Sequence, residues 1–600
     1  MLLRLPTVAA RAGALAWRAD ARLTVCLVVV EGAAAAASVA GLLASVGVLR
    51  ALFSEGATPE RIRSALPSLV LVGVLLAVRA LLDTGKALAQ GSLTPRIGRI
   101  LETELLALTA TVKLEAVDDA RWADAAQRAN ARGLPYAEKT IIQVTELGSA
   151  LLGLLGTAGV LSVLHPLLVP LLMLSVLPQG LASIRSARLR FLSQVRHSAL
   201  QRRKIQFTWL LHDRDSAAEL RVCTAQDALL AEHRRLAERI EAEEIRLNRR
   251  EATTGLTGRS LGGLGSGITY VALVWLMTAG WLPLAAGGGA VLALQTSRVT
   301  LTRLVLAVHQ VFEHALWLDD VLNFQQECRA LLPPRGGRRA PDSFDTITVE
   351  HVSYTYPGSA TPALCDVSMT LSAGTTVAFV GTNGSGKSTM SKVIAGLYQP
   401  QSGSLRWDDT DLAAVEAESI QAHVSMVLQD PTPWPLTALA NISIGAGSIT
   451  ACDPVAVHHA AKASGADKVI ATLPETWRSV LSKKVSGGVE LSAGNWAKIA
   501  VARGLYKRAR IFILDEPTAS MDPHAEHAIY QSAIRQQRHP ERIIILISHR
   551  LASVVDCDRI FVFNDGGVVE SGTHGELMSR NGTYHEMFTL QAAAYREPRD

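Results

Sequence analysis

Apolar residues fall into two regimes along this chain. The first half carries long apolar runs, and the second carries short ones separated by polar turns. Residues 23–49 are apolar over a length that crosses a bilayer, interrupted only by Glu31 and preceded by Arg11, Arg18 and Arg22. A cleavable signal peptide is the competing reading, but this run is longer than a signal core and similar segments follow it. They lie at 65–90, 140–164, 166–186, 257–281 and 287–311, so the pattern predicts six membrane-spanning helices.

The connections after the second and fourth spans are long, charged and helical in pattern, while those after the third and fifth are very short. Arg96, Arg99, Lys113, Arg121, Arg128, Arg132 and Lys139 fall in the first long connection, and Arg185, Arg188, Arg190, Arg196, Arg202, Arg203 and Lys204 open the second. The short connections carry almost no Lys or Arg. Excess positive charge marks the cytoplasmic side, which places both termini and both long connections in the cytoplasm of a multi-pass protein of the cytoplasmic membrane. Short acidic turns at 113–122 and 211–221 break the two long connections into helical hairpins, each tipped by a short cross-helix. Such tips offer a surface on which a soluble domain can push; plain solvated loops are the alternative.

Ionisable groups inside a span are costly and ask for a reason. Gln295, Arg298, Thr302 and His309 recur at helical spacing on one face of the sixth span, with Arg303 and Gln310 beside it, and Glu31, Arg79 and Glu146 lie in other spans. They either line a polar cavity or pair with one another between helices.

Residues 331–341 combine Pro, Gly and Arg and mark a linker. The organisation read from these features is a transmembrane domain over 1–328, a linker over 329–345, a soluble α/β domain over 346–591 and a tail over 592–600. In the soluble part the apolar strand 377–380 runs into Gly381, Thr382, Asn383, Gly384, Ser385, Gly386, Lys387, Ser388 and Thr389, then into a helical stretch over 390–397. Gly381, Gly386, Lys387 and Ser388 match the phosphate-loop pattern G-x-x-x-x-G-K-[ST] in its required strand-to-helix context. Backbone N–H groups of such a loop close on phosphate oxygens, Lys387 reaches the terminal phosphates and Ser388 can hold Mg²⁺. The expected fold is an α-helical six-span transmembrane domain followed by an α/β P-loop NTPase domain.

Two further strands end in polar side chains. The run 510–514 ends in Asp515, placed to hold the Mg²⁺ shell, and Glu516, placed to polarise a water aimed at a γ-phosphate. The run 543–547 ends in Ser548 and His549, and His549 there is placed to contact the γ-phosphate. Composition narrows the partners. The 48% apolar content fits a membrane part, and the net charge of +5 is spread without long basic runs or interleaved aromatics, which argues against nucleic acid. The six cysteines show no metal-ligand spacing, so free, inert thiols and no zinc site are expected. The sequons at Asn441 and Asn581 are discounted, because this domain faces the cytoplasm.

These residues resemble the ATP-binding cassette transporters, in the exporter-type arrangement of six helices fused to one nucleotide-binding domain. The resemblance rests on 381–389 as the first Walker motif, 427–430 with Gln429 as the Q-loop, 491–495 at the signature position, and 511–516 as the second Walker motif. It continues with 520–522 as the D-loop, His549 as the switch histidine and Tyr356, in an aromatic-x-Tyr-Pro pattern, as the residue stacking on adenine. It implies ATP and Mg²⁺ as ligands, with Glu516, His549 and Gln429 in the catalytic set and Ser388, Gln429 and Asp515 around the metal. It also implies two chains, each completing the other's site through Ser492 and Gly494. The signature reads Leu-Ser-Ala-Gly-Asn where the family has Leu-Ser-Gly-Gly-Gln, so Ala493 adds a methyl and Asn495 shortens an amide. With Glu516 intact, the family's pattern favours a heterodimer, a homodimer being the alternative.

The resemblance implies ATP-driven export of a peptide, lipid or small amphipathic molecule. An importer of a siderophore-like substrate on the same fold, or a nucleotide-gated regulator, are the alternatives; complete catalytic residues argue against the last. Arg79, Arg298 and Arg303 hint at an anionic cargo. No peptidase-like segment precedes the first span, so a protease-processing exporter is not expected.

Overall fold

A computed structural model describes residues 5–53, 58–213, 216–333, 337–517 and 538–594. The chain divides into two compact units, one of Met1–Ala110 with Asp124–Glu327 and one of Thr111–Ala123 with Cys328–Asp600. The sequence places a boundary near 328; the structure adds to the soluble unit the tip of the first long connection.

The first unit is helical. A short amphipathic helix α1 (Leu5–Ala19) precedes α2 (Ala21–Leu52), whose start is capped by Asp20 accepting from the Arg22 and Leu23 amides. Then come α3 (Thr58–Thr109), and, beyond the short helices α4 (Leu114–Val117) and α5 (Ala120–Arg128), α6 (Leu134–Leu164). α7 (Leu168–His212), α8 (Ala217–Val222), α9 (Gln226–Thr278) and α10 (Leu284–Ala330) complete the unit. Six of these helices are long and apolar enough to cross a membrane, matching the six predicted runs. Each predicted span is part of a longer helix, because nothing in the charged flanks stops helix propagation; only length and polarity change there. Leu76, Leu81 and Leu88 on α3 are exposed, as side chains facing lipid are.

Water-driven burial does not hold such helices together, so close backbone approach has to. Gly258, Gly262 and Gly265 supply it on α9. A Cβ on Gly262 would lie 2.7 Å from the Ser175 carbonyl oxygen, and one on Gly265 would lie 2.8 Å from the Ser175 Cα of α7. Thr269, one turn on, donates across to the Leu171 carbonyl at 3.2 Å.

The second unit is built on two sheets. β1 (Thr346–Tyr354), β2 (Leu364–Ser372), β4 (Ser402–Trp407) and β5 (Thr410–Asp411) form an antiparallel sheet in the order β2-β1-β4-β5. The larger sheet has the order β10-β9-β3-β8-β7-β6, from β3 (Thr376–Gly381), β6 (Val424–Val427), β7 (Ile511–Asp515), β8 (Ile543–Ile547), β9 (Arg559–Asn564) and β10 (Gly567–Gly572). Its first five strands are parallel neighbours, and β10 returns antiparallel along β9. β3, β7 and β8 are buried along their whole length, which explains their unbroken apolar runs. Ile511 and Ile513 of β7 face one core while Phe512 and Leu514 face the other, the alternation of a strand buried on both sides.

The tip helix α4 packs within this unit. Leu114 rests on the sheet core, the Tyr398 hydroxyl donates to Asp118 Oδ2 at 2.8 Å, and the Gln399 amide donates to Glu115 Oε1 at 3.1 Å. α8, the other expected tip, buries none of its residues. The sequon Asn441 is fully buried, its amide donating to the carbonyls of Trp434, Leu436 and Thr437, so its role is structural. The six cysteines form no disulfide.

Replacing Gly262 by Leu is expected to separate α7 from α9, at a cost of about 1–3 kcal/mol or more for overpacking. Gly263, whose Cβ would meet nothing within 4 Å, tolerates the same change. Thermal unfolding of the purified variants checks this: Gly262→Leu lowers the midpoint and Gly263→Leu leaves it in place.

Candidate functional site

The parallel strands of the larger sheet all point their C-terminal ends at one edge, and that edge collects the chemistry. β3 delivers Gly381 and the loop after it, β8 delivers Ser548 and His549, β7 delivers Asp515 and Glu516, and β6 leads to Gln429. In an open parallel sheet this edge is where ligands bind.

The loop after β3 is shaped by glycine. Gly381 has φ +146°, and a Cβ there would lie 2.2 Å from the Phe563 carbonyl oxygen of β9. Gly386, at φ +100°, would bring a Cβ to 2.7 Å from the Ala363 carbonyl oxygen. Both conformations favour glycine, and both approaches exclude a side chain. Helix α11 (Lys387–Ile394) starts directly after Gly386, so its free N–H groups face the loop; it ends three residues before the predicted 397 because Gly396 turns at φ +68°. Lys387 is buried and its ammonium donates to the carbonyls of Gly381 at 3.1 Å and Thr382 at 2.7 Å. Burial holds its pKa below the usual lysine value, against the pull of Glu516 and Asp515.

The Ser388 hydroxyl donates to Asp515 Oδ1 at 3.0 Å, which joins the first helix of the loop to the end of β7. Asp515 is buried, and that burial raises its pKa above the ordinary carboxylate value while the Ser388 hydrogen bond lowers it. A hydroxyl and a carboxylate oxygen in contact suit a hard cation such as Mg²⁺. Among the described residues no group of three or more His, Cys, Asp or Glu side chains is placed to hold a metal ion.

Glu516 sits in the left-handed region at φ +47°, uncommon for a residue with a side chain, with its amide donating to the Ile547 carbonyl of β8 at 3.1 Å. That turn aims its carboxylate along the sheet edge, where Oε1 lies 2.5 Å from His549 Nε2. Burial raises the Glu516 pKa and lowers that of His549. Both shifts work against a charged imidazolium–carboxylate pair at this contact.

The other predicted site residues are distributed around this edge. Tyr356 is half-buried, its hydroxyl 3.0 Å from the Thr389 hydroxyl and its ring edge-on to Tyr354 and Tyr398, so it closes one side of the loop. Gln429 is exposed two residues past β6. Ser492 caps the helix Ala493–Tyr506, its hydroxyl accepting from the Asn495 amide at 3.4 Å, and Ser492 and Ala493 are exposed. The D-loop at 520–522 lies outside the described residues.

In the helical unit the predicted polar face of the sixth span is split. Gln295 and Arg303 line one cavity together with Arg79 and Glu146, Thr302 and His309 line a second with residues of α7 and α9, and Arg298 lines neither. Lys86, which the sequence reading passed over, pairs with both Glu31 and Glu146. A second cation in the run that already holds Arg79 and Asp83, needing an anion of its own, was the available signal.

Residues 364–519 match the ABC transporter family. A fatty acid ABC transporter ATP-binding/permease protein of Mycobacterium bovis is 31% identical over 344 residues, 54% of this chain and 52% of that protein. An ATP-dependent lipid A-core flippase of Thiobacillus denitrificans is 33% identical over 256 residues, 42% of this chain and 43% of that one. The aligned stretches thus span about half the length of these relatives or less. The structure of a bacterial Atm1-family ABC exporter with ATP bound superposes over 95% of this chain and 99% of its own, with a TM-score of 0.84 at 20% identity, which establishes the fold. With the phosphate loop, the two carboxylates and the histidine on one sheet edge, this chain belongs to the ATP-binding cassette transporters, as a six-span part fused to one nucleotide-binding domain on the exporter fold.

Proposed function

We propose that this chain is one half of an ATP-driven exporter of the cytoplasmic membrane, with both termini and the nucleotide-binding domain in the cytoplasm. The observation that carries the reading is the joint delivery of Lys387, Asp515, Glu516 and His549 to one sheet edge. ATP is seated by the backbone N–H groups of 381–389 and the helix start after Gly386, with Lys387 on the terminal phosphates and Tyr356 against the adenine. Ser388 and Asp515, with Gln429 beside them, are the oxygen donors for Mg²⁺, which when bound neutralises charge on the phosphates. Glu516 accepts a proton from the attacking water. His549, which meets Glu516 through Nε2, turns to the γ-phosphate as the site closes, leaving the carboxylate free to act as base.

The second half of each site comes from a partner. Ser492, Ala493 and Gly494 stand at an exposed helix start, suited to cap another chain's phosphates. The methyl of Ala493 keeps backbone from approaching a phosphate as closely as glycine does. We infer a heterodimer in which the productive site combines this chain's Glu516 with the partner's signature. A fatty-acid transporter and a lipid flippase among the relatives support an amphipathic cargo.

Glu516→Gln is expected to lower ATP turnover by about 10²–10⁴-fold while ATP binding persists; unchanged turnover removes Glu516 from the mechanism. The wild-type pH profile has a sign. Burial raises the Glu516 pKa, so turnover falls on acidification at a pH above that at which an ordinary glutamate protonates, and a limb at or below the ordinary value contradicts this. Purified alone, the chain is expected to hydrolyse ATP slowly, and full cargo-stimulated turnover without a partner overturns the heterodimer. In inside-out vesicles, ATP-dependent uptake of cargo means export, whereas release from preloaded vesicles means import.

A further inference from the structure

The span helices line a cavity of about 810 Å³, of the size of small-molecule sites. Its walls carry charge. Lys86 of α3 lies 2.5 Å from Glu31 of α2 and 2.8 Å from Glu146 of α6, so one ammonium ties three helices and faces two carboxylates. The Glu31 and Lys86 side chains are 8% and 13% exposed, whereas Glu146 is 45% exposed and lines the cavity. Arg79 and Asp83, one helical turn apart at 3.8 Å, cancel each other. Arg303 of α10 lines the same cavity and makes no ion pair among the described residues.

The two walls are therefore unequal. The wall of α2, α3 and α6 holds one surplus negative charge, displayed by Glu146, and the α10 wall holds one surplus positive charge at Arg303. Three arginines read from the sequence suggest an anion, but the structure takes Arg298 out of this cavity and pairs Arg79. A simple anion would match only Arg303 and a simple cation only Glu146, whereas a molecule carrying both charges complements both walls. Ionisable groups kept inside membrane spans mark functional positions.

We propose that this cavity binds a zwitterion, with a primary ammonium group on Glu146 and an anionic group on Arg303. Lys86 is a positioning residue that fixes the Glu146 carboxylate. The inference rests on the reading of this chain as half of a transporter and names the chemistry of its cargo. An aminophospholipid headgroup and a free zwitterionic solute share that chemistry.

The test uses the full chain in phosphatidylglycerol nanodiscs, with thermal midpoint and ATP turnover read separately. In one arm tetra-alanine with free ends is compared with its N-acetylated and its C-amidated forms. In the other, part of the lipid is replaced by phosphatidylethanolamine or by its N-acetylated form. The expected result is a raised midpoint in at least one arm, only for the form bearing both charges; the responding arm identifies solute or headgroup. Glu146→Gln removes the preference for the free amine and Arg303→Gln that for the acid, each weakening apparent affinity about tenfold, while Glu146→Asp and Arg303→Lys restore part of it. Should Glu146→Gln fail to fold, Arg303→Gln reads the same site from its exposed side. No midpoint shift in either arm, a shift indifferent to capping, or preferences unmoved by the substitutions overturns the proposal. Slow ATP turnover without charge-selective binding sinks this inference alone, whereas charge-selective binding without even the slow turnover expected of the chain alone sinks the transporter reading alone.

Discussion

At Gly381 the backbone leaves β3 so close to β9 that the Phe563 carbonyl oxygen occupies the place of a side chain. The site depends on that approach. It lets the loop curl back over the end of β3 so that α11 can begin at Lys387, and it sets the Ser388 hydroxyl on Asp515 at the end of β7. A side chain at 381 would push the loop outward and break the register between the helix start and the carboxylates. Strand order does the rest, since β3, β8 and β7 are neighbours and their ends are consecutive along one edge.

The helical unit solves the opposite problem. Where no water is available to drive burial, its helices meet through glycines, as α9 does on α7, and through ion pairs, as α2, α3 and α6 do around Lys86. Packing by small residues leaves the polar residues free to face a cavity, and packing by charge leaves that cavity electrically uneven.

Much of this was legible in the sequence because the signals are local. The six runs are set by length and apolarity, and the loop at 381–389, the carboxylates at 515 and 516 and the histidine at 549 each follow a strand whose apolar run is unbroken. What was not legible depends on partners far apart in the chain. The partners of Lys86 are not legible until the fold brings Glu31 and Glu146 to it, and helical periodicity joined Gln295 to Thr302 and His309, although the surrounding helices divide them between two cavities. Likewise nothing near 113–122 announces that Asp118 receives the hydroxyl of Tyr398, a contact that assigns this tip to the soluble unit.

The central claim is that the loop at Gly381 and the carboxylate at Asp515 form one nucleotide site. Equilibrium binding of a fluorescent ATP analogue, with and without Mg²⁺, tests it on the chain and on a variant carrying Gly381→Val. The account predicts Mg²⁺-strengthened binding in the chain and its loss in the variant, with the fold retained by circular dichroism; undiminished, Mg²⁺-strengthened binding in a folded Gly381→Val chain would contradict it.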